Sequence, residues 1–422
     1  MKITIDNLGV VRHIEFDTQK PLSLFCGPNG TGKTYVAYVL YSIANFDISL
    51  TRTIRSLRNK TISVTELLKK AIKELIELNF GSIFGVSDDF VFERFRYTKV
   101  DVSFSDYDIE IINKESNEFF NLVKQNETYI ATNISPVNVR LALSRCIKLI
   151  FRALMLTVER NSIYTFDREL SISRNDLVDR LMALKDKRNV NLSEVLTANS
   201  RRYPMAVMDG LRVANDLLNI KKIKGCFFDV ASGLEKTLLH GSVEISQNGE
   251  VEFIVGENIN LPIQMSSSIV KTLSSLILYL KYIITEGDTL IIDEPEMNLH
   301  PDNQILLARI FAQMVNMGIK LVISTHSDYI IRELNNLIML SGVPDNDMQS
   351  FSKLGYDKSM MLKKEDVAAY MFNFDKDNLV TVENLDVTET GFEVSTIDAA
   401  INSINEASEE LYYSLKSKQY EN

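Results

Sequence analysis

The sequence is short of the residues that mark several common functions. It has three cysteines in 422 residues, Cys26, Cys146 and Cys226, and no CxxC pair. That spacing argues against a zinc hook, a zinc finger or a disulfide framework, and it suits a reducing cytoplasm. Only four histidines occur, His13, His240, His300 and His326. Their scatter offers neither metal-ligand spacing nor an HNH-type cluster. No apolar run reaches the ~18 residues of a membrane span, so none is expected. The longest candidate, IVKTLSSLILYLKYII, is interrupted by two lysines and reads as a buried amphipathic helix. The opening MKITIDNLGVVRHIEFD alternates polar and apolar residues and carries no apolar signal-peptide core. No heptad array is long enough for a coiled-coil arm, and there is no internal repeat. No serine, cysteine or lysine nucleophile has a recognisable partner.

Basic charge is scarce too: 46 Lys and Arg face 56 Asp and Glu, a net charge of −10. A protein that coats nucleic acid is usually basic. A local grip on DNA or RNA remains open through TRTIRSLRNK (Arg52, Arg55, Arg58, Lys60), NSRRYP (Arg201, Arg202) and KKIK (Lys221, Lys222, Lys224). Each patch reads equally as a solvated surface.

What is present is ordinary in bulk, with 45% hydrophobic and 24% charged residues and length enough for two or three domains. One stretch is not ordinary. CGPNGTGKT, Cys26 to Thr34, follows the apolar LSLF and precedes the helical pattern TYVAYVLYSI. Gly27, Gly32, Lys33 and Thr34 fit G-x-x-x-x-G-K-[ST], a loop that wraps nucleotide phosphates. The glycines let backbone N–H groups of Asn29, Gly30, Thr31 and Gly32 turn inward as an anion nest, and the following helix adds its positive end. Lys33 is expected to reach the β and γ phosphates of ATP, and the Thr34 hydroxyl to hold Mg²⁺.

Far downstream, TLIIDEPEMNLHP is an apolar strand ending in two carboxylates. The carboxyl end of a strand is where α/β sheets place ligands. Asp293 is expected to orient the Mg²⁺ shell, and Glu294 to act as general base on the attacking water. A second strand, KLVISTHSD, ends in His326, which either contacts the γ phosphate or its water, or belongs to a helix start capped by Ser324, Thr325 or Ser327.

Between these motifs, SVTELLKKAIKELIELNF has helical spacing. YTKVDVSFSDYDIEII alternates as one or two strands, with a turn at Asp106–Asp108. NVRLALSRCIKLIFRALM, RNDLVDRLMALKDK and MAVMDGLRVANDLLNI read as helices. GSVEISQNGEVEFIV reads as a hairpin turning at Asn248-Gly249. Helices over 269–284 and 302–317 flank the strand Thr289–Ile292, a mixed stretch covers 341–390, and a helix closes the chain.

The motif order and these residues resemble the ABC-type ATPase heads of the SMC and OLD (overcoming lysogenisation defect) families. IDNLGVVRHIEFD with FCGPNGTGKT is similar to their N-terminal strands. DEPEMNLHPDNQ with ISTHSDYIIREL, LTVERNSIYTF, YPMAVMDGL and the hairpin before PIQMSSS resemble the compact OLD-like ATPases of bacterial defence operons, the Septu and PARIS types included. The resemblance covers residues 1–45 and about 150–340.

It implies an α/β fold, an ABC-type P-loop ATPase head with a mixed sheet, built from 1–46 and 225–340. A largely helical insertion fills 47–224, with a return strand near 155–166, and a small mixed region spans 341–422. It implies ATP and Mg²⁺ as cofactors, and a homodimer through the ATP sites, or a larger ring. In such a dimer a signature segment of one subunit closes over the other's ATP; here that is MSSSIVKTL, with Ser267 and Ser268 as the phosphate contacts and Lys271 nearby. OLD-like heads often have Ser-Ser-Gly there, whereas Ile269 follows Ser268 here. An ordinary helix cap is the other reading of these serines. Arg12 falls where relatives carry a basic residue near the nucleotide. Glu159–Arg160 is either a sensor near the site or an ion pair, and His300 with Asn298 is an interface loop.

The Toprim nuclease of longer OLD proteins is not expected. Asp345/Asp347 and Asp375/Asp377 have Asp-x-Asp spacing but follow no convincing apolar strand, and read as solvated loops. The reading is therefore a cytoplasmic ATPase of an anti-phage defence system that holds or licenses a separate effector, a nuclease or toxin. The alternative is an SMC-like repair or chromosome-maintenance ATPase acting on DNA. An autonomous nuclease with a C-terminal active site and a transporter head fit less well, the first for the short stretch after Leu340 and the second for lack of an LSGGQ-like signature and for the N-terminal strand pattern.

Overall fold

The computed structural model describes residues 1–45, 62–118, 121–125, 128–132, 136–165, 203–256 and 259–420. The fold is mixed α/β around a nine-stranded sheet. The chain begins with β1 (Lys2–Leu8), β2 (Val11–Asp17) and β3 (Leu22–Cys26). A small sheet comprises β4 (Ile62–Ser63), β6 (Asn121–Gln125) and β7 (Thr128–Thr132), and β5 (Lys99–Ser103) lies between them in sequence. Then come β8 (Ala153–Leu156) and a three-stranded sheet of β9 (Gly241–Ile245), β10 (Val251–Val255) and β11 (Ile259–Pro262). The last strands are β12 (Thr289–Asp293), β13 (Lys320–Thr325), β14 (Val367–Phe374) and β15 (Val380–Leu385).

The large sheet runs β5-β1-β2-β15-β14-β3-β13-β12-β8. From β14 to β8 all neighbours are parallel. LSLFC and TLIID are buried at every position, the continuous apolar run of strands covered on both faces. Side chains alternate between the two faces: Leu290 and Ile292 join one core with the helices Ser268–Tyr282, Pro301–Asn316 and Asp328–Ser341, and Ile291 joins the other with Lys33–Asn45 and Val64–Phe84. The sheet takes strands from all parts of the chain. β14 and β15, from the region after 341, lie at its centre between β2 and β3.

Three local expectations change. The stretch after β5 is a helix, Asp106–Asn117, and not a second strand. Ser105 and Asp108 form a reciprocal capping box, and the chain's N-terminal amine pairs with Asp108 at 2.7 Å. The helix beginning at Pro136 stops at Ile150, and ALML becomes β8. β9 and β10 form the expected hairpin. Only Gly249 of its turn is left-handed, at φ 82°, and the Ser246 N–H to Glu250 carbonyl bond (2.8 Å) closes a longer loop than a two-residue turn. RNDLVDRLMALKDK lies outside the described residues. Among the described residues, no helix is long and apolar enough to cross a membrane.

Candidate functional site

The parallel strands β3, β13 and β12 end side by side, with Cys26 opposite Thr325 and Asp293 opposite Ser324 in register. The loops leaving them enclose a cleft of about 240 Å³ lined by Val10, Asn29, Gly30, Thr31, Gly32, Lys33, Thr34, Tyr35, Asp293, Glu294 and His326. The six loop residues from Asn29 to Thr34 and the three downstream residues read from sequence therefore meet in one place.

The glycines are required by the geometry. Gly27 has φ 136°, and a Cβ there would collide with the Phe372 carbonyl of β14. Gly32 has φ 85°, and its Cβ would lie 2.7 Å from Val11 Cγ2. Lys33 Nζ folds over the loop and donates to the carbonyls of Gly27 (2.9 Å) and Pro28 (2.8 Å) and to Thr31 Oγ1 (3.3 Å). Burial pushes its pKa down to about 8, against the pull of Asp293 and other acids nearby.

The Thr34 hydroxyl donates to Asp293 Oδ2 at 2.8 Å. Asp293 is buried, and its other oxygen accepts from the Ser324 hydroxyl. Burial raises its pKa, opposed by those two hydrogen bonds. Glu294 follows in a left-handed conformation, φ 47°, which a non-glycine residue adopts only when its surroundings hold it there. Burial, and then the Asp293 charge, raise its pKa. His326 Nε2 lies 3.8 Å from Glu294 Oε1. Burial and the Lys33 charge push the His326 pKa down to about 4.

Two residues brace this end of the sheet. Arg160, only 2% exposed, donates to the carbonyls of Asp293 and Glu294 at 2.6 Å each and of Thr157 at 3.0 Å. It reaches the backbone of both cleft acids without lining the cleft, and among the described residues it makes no side-chain ion pair. Glu296 Oε1 accepts from the His326 N–H (2.6 Å) and the Thr325 hydroxyl (3.0 Å). The family resemblance marked Arg160 without giving this bracing role, and Glu296 had no sequence signal, because Arg160 works through backbone acceptors and Glu296 through a neighbouring strand. Of the three cap candidates Ser327 caps the next helix, accepting from the Ile330 N–H at 3.1 Å.

The remaining candidates sit apart. Arg12 does not line the cleft; its guanidinium pairs with Asp375 (2.7 Å) and Asp377 (2.9 Å) on the β14–β15 turn, which are the acids of the second Asp-x-Asp pair. Ser267 and Ser268 are exposed at the start of the helix Ser268–Tyr282, outside the chain's own cleft, and Ser267 makes no side-chain cap bond. His300 caps the helix Pro301–Asn316, and Asp345 pairs with Lys358. In KKIK, Lys221 bonds the Ile245 and Ser246 carbonyls, Lys222 bonds Asn219, and Lys224 lies over the Phe228 ring. The other two basic patches lie outside the described residues.

Comparison with protein families gives a match to the AAA ATPase domain over residues 1–169 and 168–331. No curated protein matches. Among solved structures, an SMC head bound to the C-winged helix domain of ScpA is similar at 12% identity and TM-score 0.41, covering 92% of this chain and 98% of that one. The SMC head domain from Thermotoga maritima is similar at 10% identity and TM-score 0.38, with the same coverage. An Smc head with an extended coiled coil, bound to a ScpA domain derived from Pyrococcus furiosus, stands at 11% and 0.39, covering 96% and 98%.

Proposed function

The chain belongs to the AAA ATPase domain family, and on that premise we propose that it binds Mg–ATP in the cleft beyond β3, β12 and β13 and hydrolyses it there. The residues present fit that ligand. Space that no Cβ could share at Gly27 and Gly32 leaves the loop backbone open to phosphate, and the helix Lys33–Asn45 presents its positive end. Lys33 exchanges its three loop acceptors for phosphate oxygens. Thr34 and Asp293, a hydroxyl and a carboxylate one hydrogen bond apart, hold magnesium, which when bound neutralises phosphate charge.

Glu294 takes the proton from the attacking water. Its raised pKa brings it closer to working pH, where a general base is most effective. His326, held neutral at pH 7, orients that water without adding a charge that would compete with Lys33. Arg160 fixes the Glu294 backbone, so the base does not have to be ordered in each turnover.

Ser267 and Ser268 project from the outer surface, which suits contact with the ATP of a second copy in a sandwiched dimer. Arg12 joins the nucleotide by leaving Asp375 and Asp377. The hydrolysis cycle then holds or licenses a separate effector, a nuclease or toxin, in anti-phage defence. That last step rests on the resemblance to compact OLD-like ATPases.

The observation that carries the proposal is the meeting of Lys33, Thr34, Asp293, Glu294 and His326 in one cleft from three separate stretches of sequence. Phosphate release by purified protein tests it, with Lys33→Ala as control; no release above that control rejects it. Pull-down with the neighbouring gene product, with and without ATP, tests the effector: a stoichiometric nuclease or toxin supports it, and a chain that cuts or bridges DNA alone rejects it.

A further inference from the structure

Two residues that line the cleft have no part in the chemistry proposed for it. Asn29 to Thr34 are taken up by phosphate and metal, and Asp293, Glu294 and His326 by metal and water. Val10 and Tyr35 are left over.

Tyr35 directly follows the Gly-Lys-Thr of the phosphate loop and is 37% exposed. Its ring centroid lies 5.1 Å from that of Phe84, at the end of the helix Val64–Phe84. It lies 6.0 Å from that of Phe95, at the end of the helix Asp88–Phe95. Phe84 and Phe95 are buried and stack on each other at 4.7 Å and 14°, with Phe80 stacked beside them. The turn between β1 and β2 closes on the ring as well. A Cβ at Gly9, where φ is 59°, would stand 3.2 Å from Tyr35 Cε2, so the turn approaches this closely only because residue 9 has no side chain. Contacts from three elements thus hold a partly exposed ring in place, and a ligand meeting it does not have to order it first.

Val10 belongs to the same turn. Its Cγ2 would lie 3.4 Å from a Cβ at Gly32, against the phosphate loop, and its carbonyl accepts from the Val380 N–H at 2.7 Å.

Glu294 and His326 mark the part of the cleft where water attacks the terminal phosphate. The rest of a nucleotide finds its contacts in what remains, an aliphatic side chain and an aromatic ring. These supply van der Waals contact and stacking. Neither supplies the adjacent donor and acceptor that would separate adenine from guanine. Stacking on an aromatic ring tolerates any base, because each has a π face, and it grows with the area of the ring system.

We propose that Tyr35 is the platform on which the nucleobase stacks and the residue that sets base selectivity, with Val10 beside it. The site then takes purine nucleoside triphosphates by ring area, ATP and GTP alike, in preference to pyrimidine ones. This rests on the nucleotide reading above and adds a substrate class to it. It also gives Phe84 and Phe95 a task, since they orient the platform.

Calorimetric titration of the full chain tests this, in the Glu294→Gln background so that the ligands stay intact. Mg–ATP and Mg–GTP should bind with similar affinity and Mg–CTP about 10-fold more weakly, the scale on which contact area alone discriminates. Tyr35→Leu keeps an apolar side chain against Phe84 and Phe95. It should lower ATP affinity about 10-fold, the worth of one stacked base. It should also bring ATP and CTP together and leave Mg–tripolyphosphate, which has no base, unchanged. Tyr35→Phe should keep the wild-type order. Equal losses of ATP and tripolyphosphate in Tyr35→Leu would make Tyr35 a structural residue, and unchanged ATP affinity would place the base elsewhere. A preference for ATP over GTP of about 100-fold or more would require a hydrogen-bonding reader. Each of these overturns the proposal. Lys33→Ala separates the two readings, because it should weaken ATP and tripolyphosphate together. If the parent chain binds neither ligand, the nucleotide reading fails and this one falls with it. If it binds both and Tyr35→Leu changes nothing, this one alone fails.

Discussion

Thr34 Oγ1 bonds Asp293 Oδ2 at 2.8 Å across 259 positions of sequence. That bond joins the helix after the phosphate loop to the end of β12. Through the second oxygen of Asp293 it extends to Ser324 on β13, and through the Asp293 carbonyl to Arg160. The carboxyl end of these strands is thus one connected polar network.

Lys33→Ala removes the amine that the loop carbonyls now hold. Nucleotide affinity should fall about 10- to 100-fold, the worth of a charge-assisted contact to phosphate. Titration with a fluorescent ATP analogue reads it. Unchanged affinity would place ATP elsewhere.

Arg160→Lys keeps the charge but cannot serve two carbonyls with one planar fork. The variant should lose about 2–3 kcal/mol of stability, because buried acceptors are left unmatched. Its kcat should fall about 10-fold as Glu294 loses its brace, with KM little changed. Urea unfolding and steady-state kinetics together check this; a KM effect alone would make Arg160 a binding residue.

Gly27→Ala sets a methyl against the Phe372 carbonyl at φ 136°. Either β14 or the loop must move, at a cost of about 2 kcal/mol or more. Gly30 has open space by comparison, its Cβ reaching only to within 4.0 Å of the Phe374 ring. Gly30→Ala should therefore cost less than Gly27→Ala in a thermal melt; the reverse order would contradict the geometry.

His326 ordinarily titrates near 6.5 but is held neutral down to about 4 in the folded chain. Between those values the unfolded chain binds a proton that the folded chain refuses, so His326 lowers stability as pH falls through that window. Wild type should lose more stability than His326→Gln on going from pH 7 to pH 5, read as the shift in urea midpoint. Parallel losses would mean that His326 titrates normally.

The sequence announced the phosphate loop and the Asp293-Glu294 pair because their chemistry is local: fixed spacings flanked by apolar strands. His326 was readable from the strand before it, and the cap that follows, Ser327, was one of three hydroxyl candidates that only the structure separates. Other features depend on distant partners. Nothing in VAAYMFNF says that β14 slots beside β3, since strand order is set by non-local pairing. The helix at Asp106 did carry a signal, the Ser105-x-x-Asp108 box, which alternating hydrophobicity over the same residues concealed. Arg12 shows the opposite case: a charge at a suggestive position whose structural partners, Asp375 and Asp377, come from the far end of the chain.

The most direct measurement is steady-state phosphate release by Glu294→Gln beside its ATP affinity. Removing the general base while leaving Lys33, Thr34 and Asp293 in place should cut turnover by about 100-fold or more and leave binding intact. Hydrolysis at the wild-type rate would contradict the account, because among the described residues the only other carboxylate lining the cleft is Asp293, which is already committed to Thr34 and Ser324.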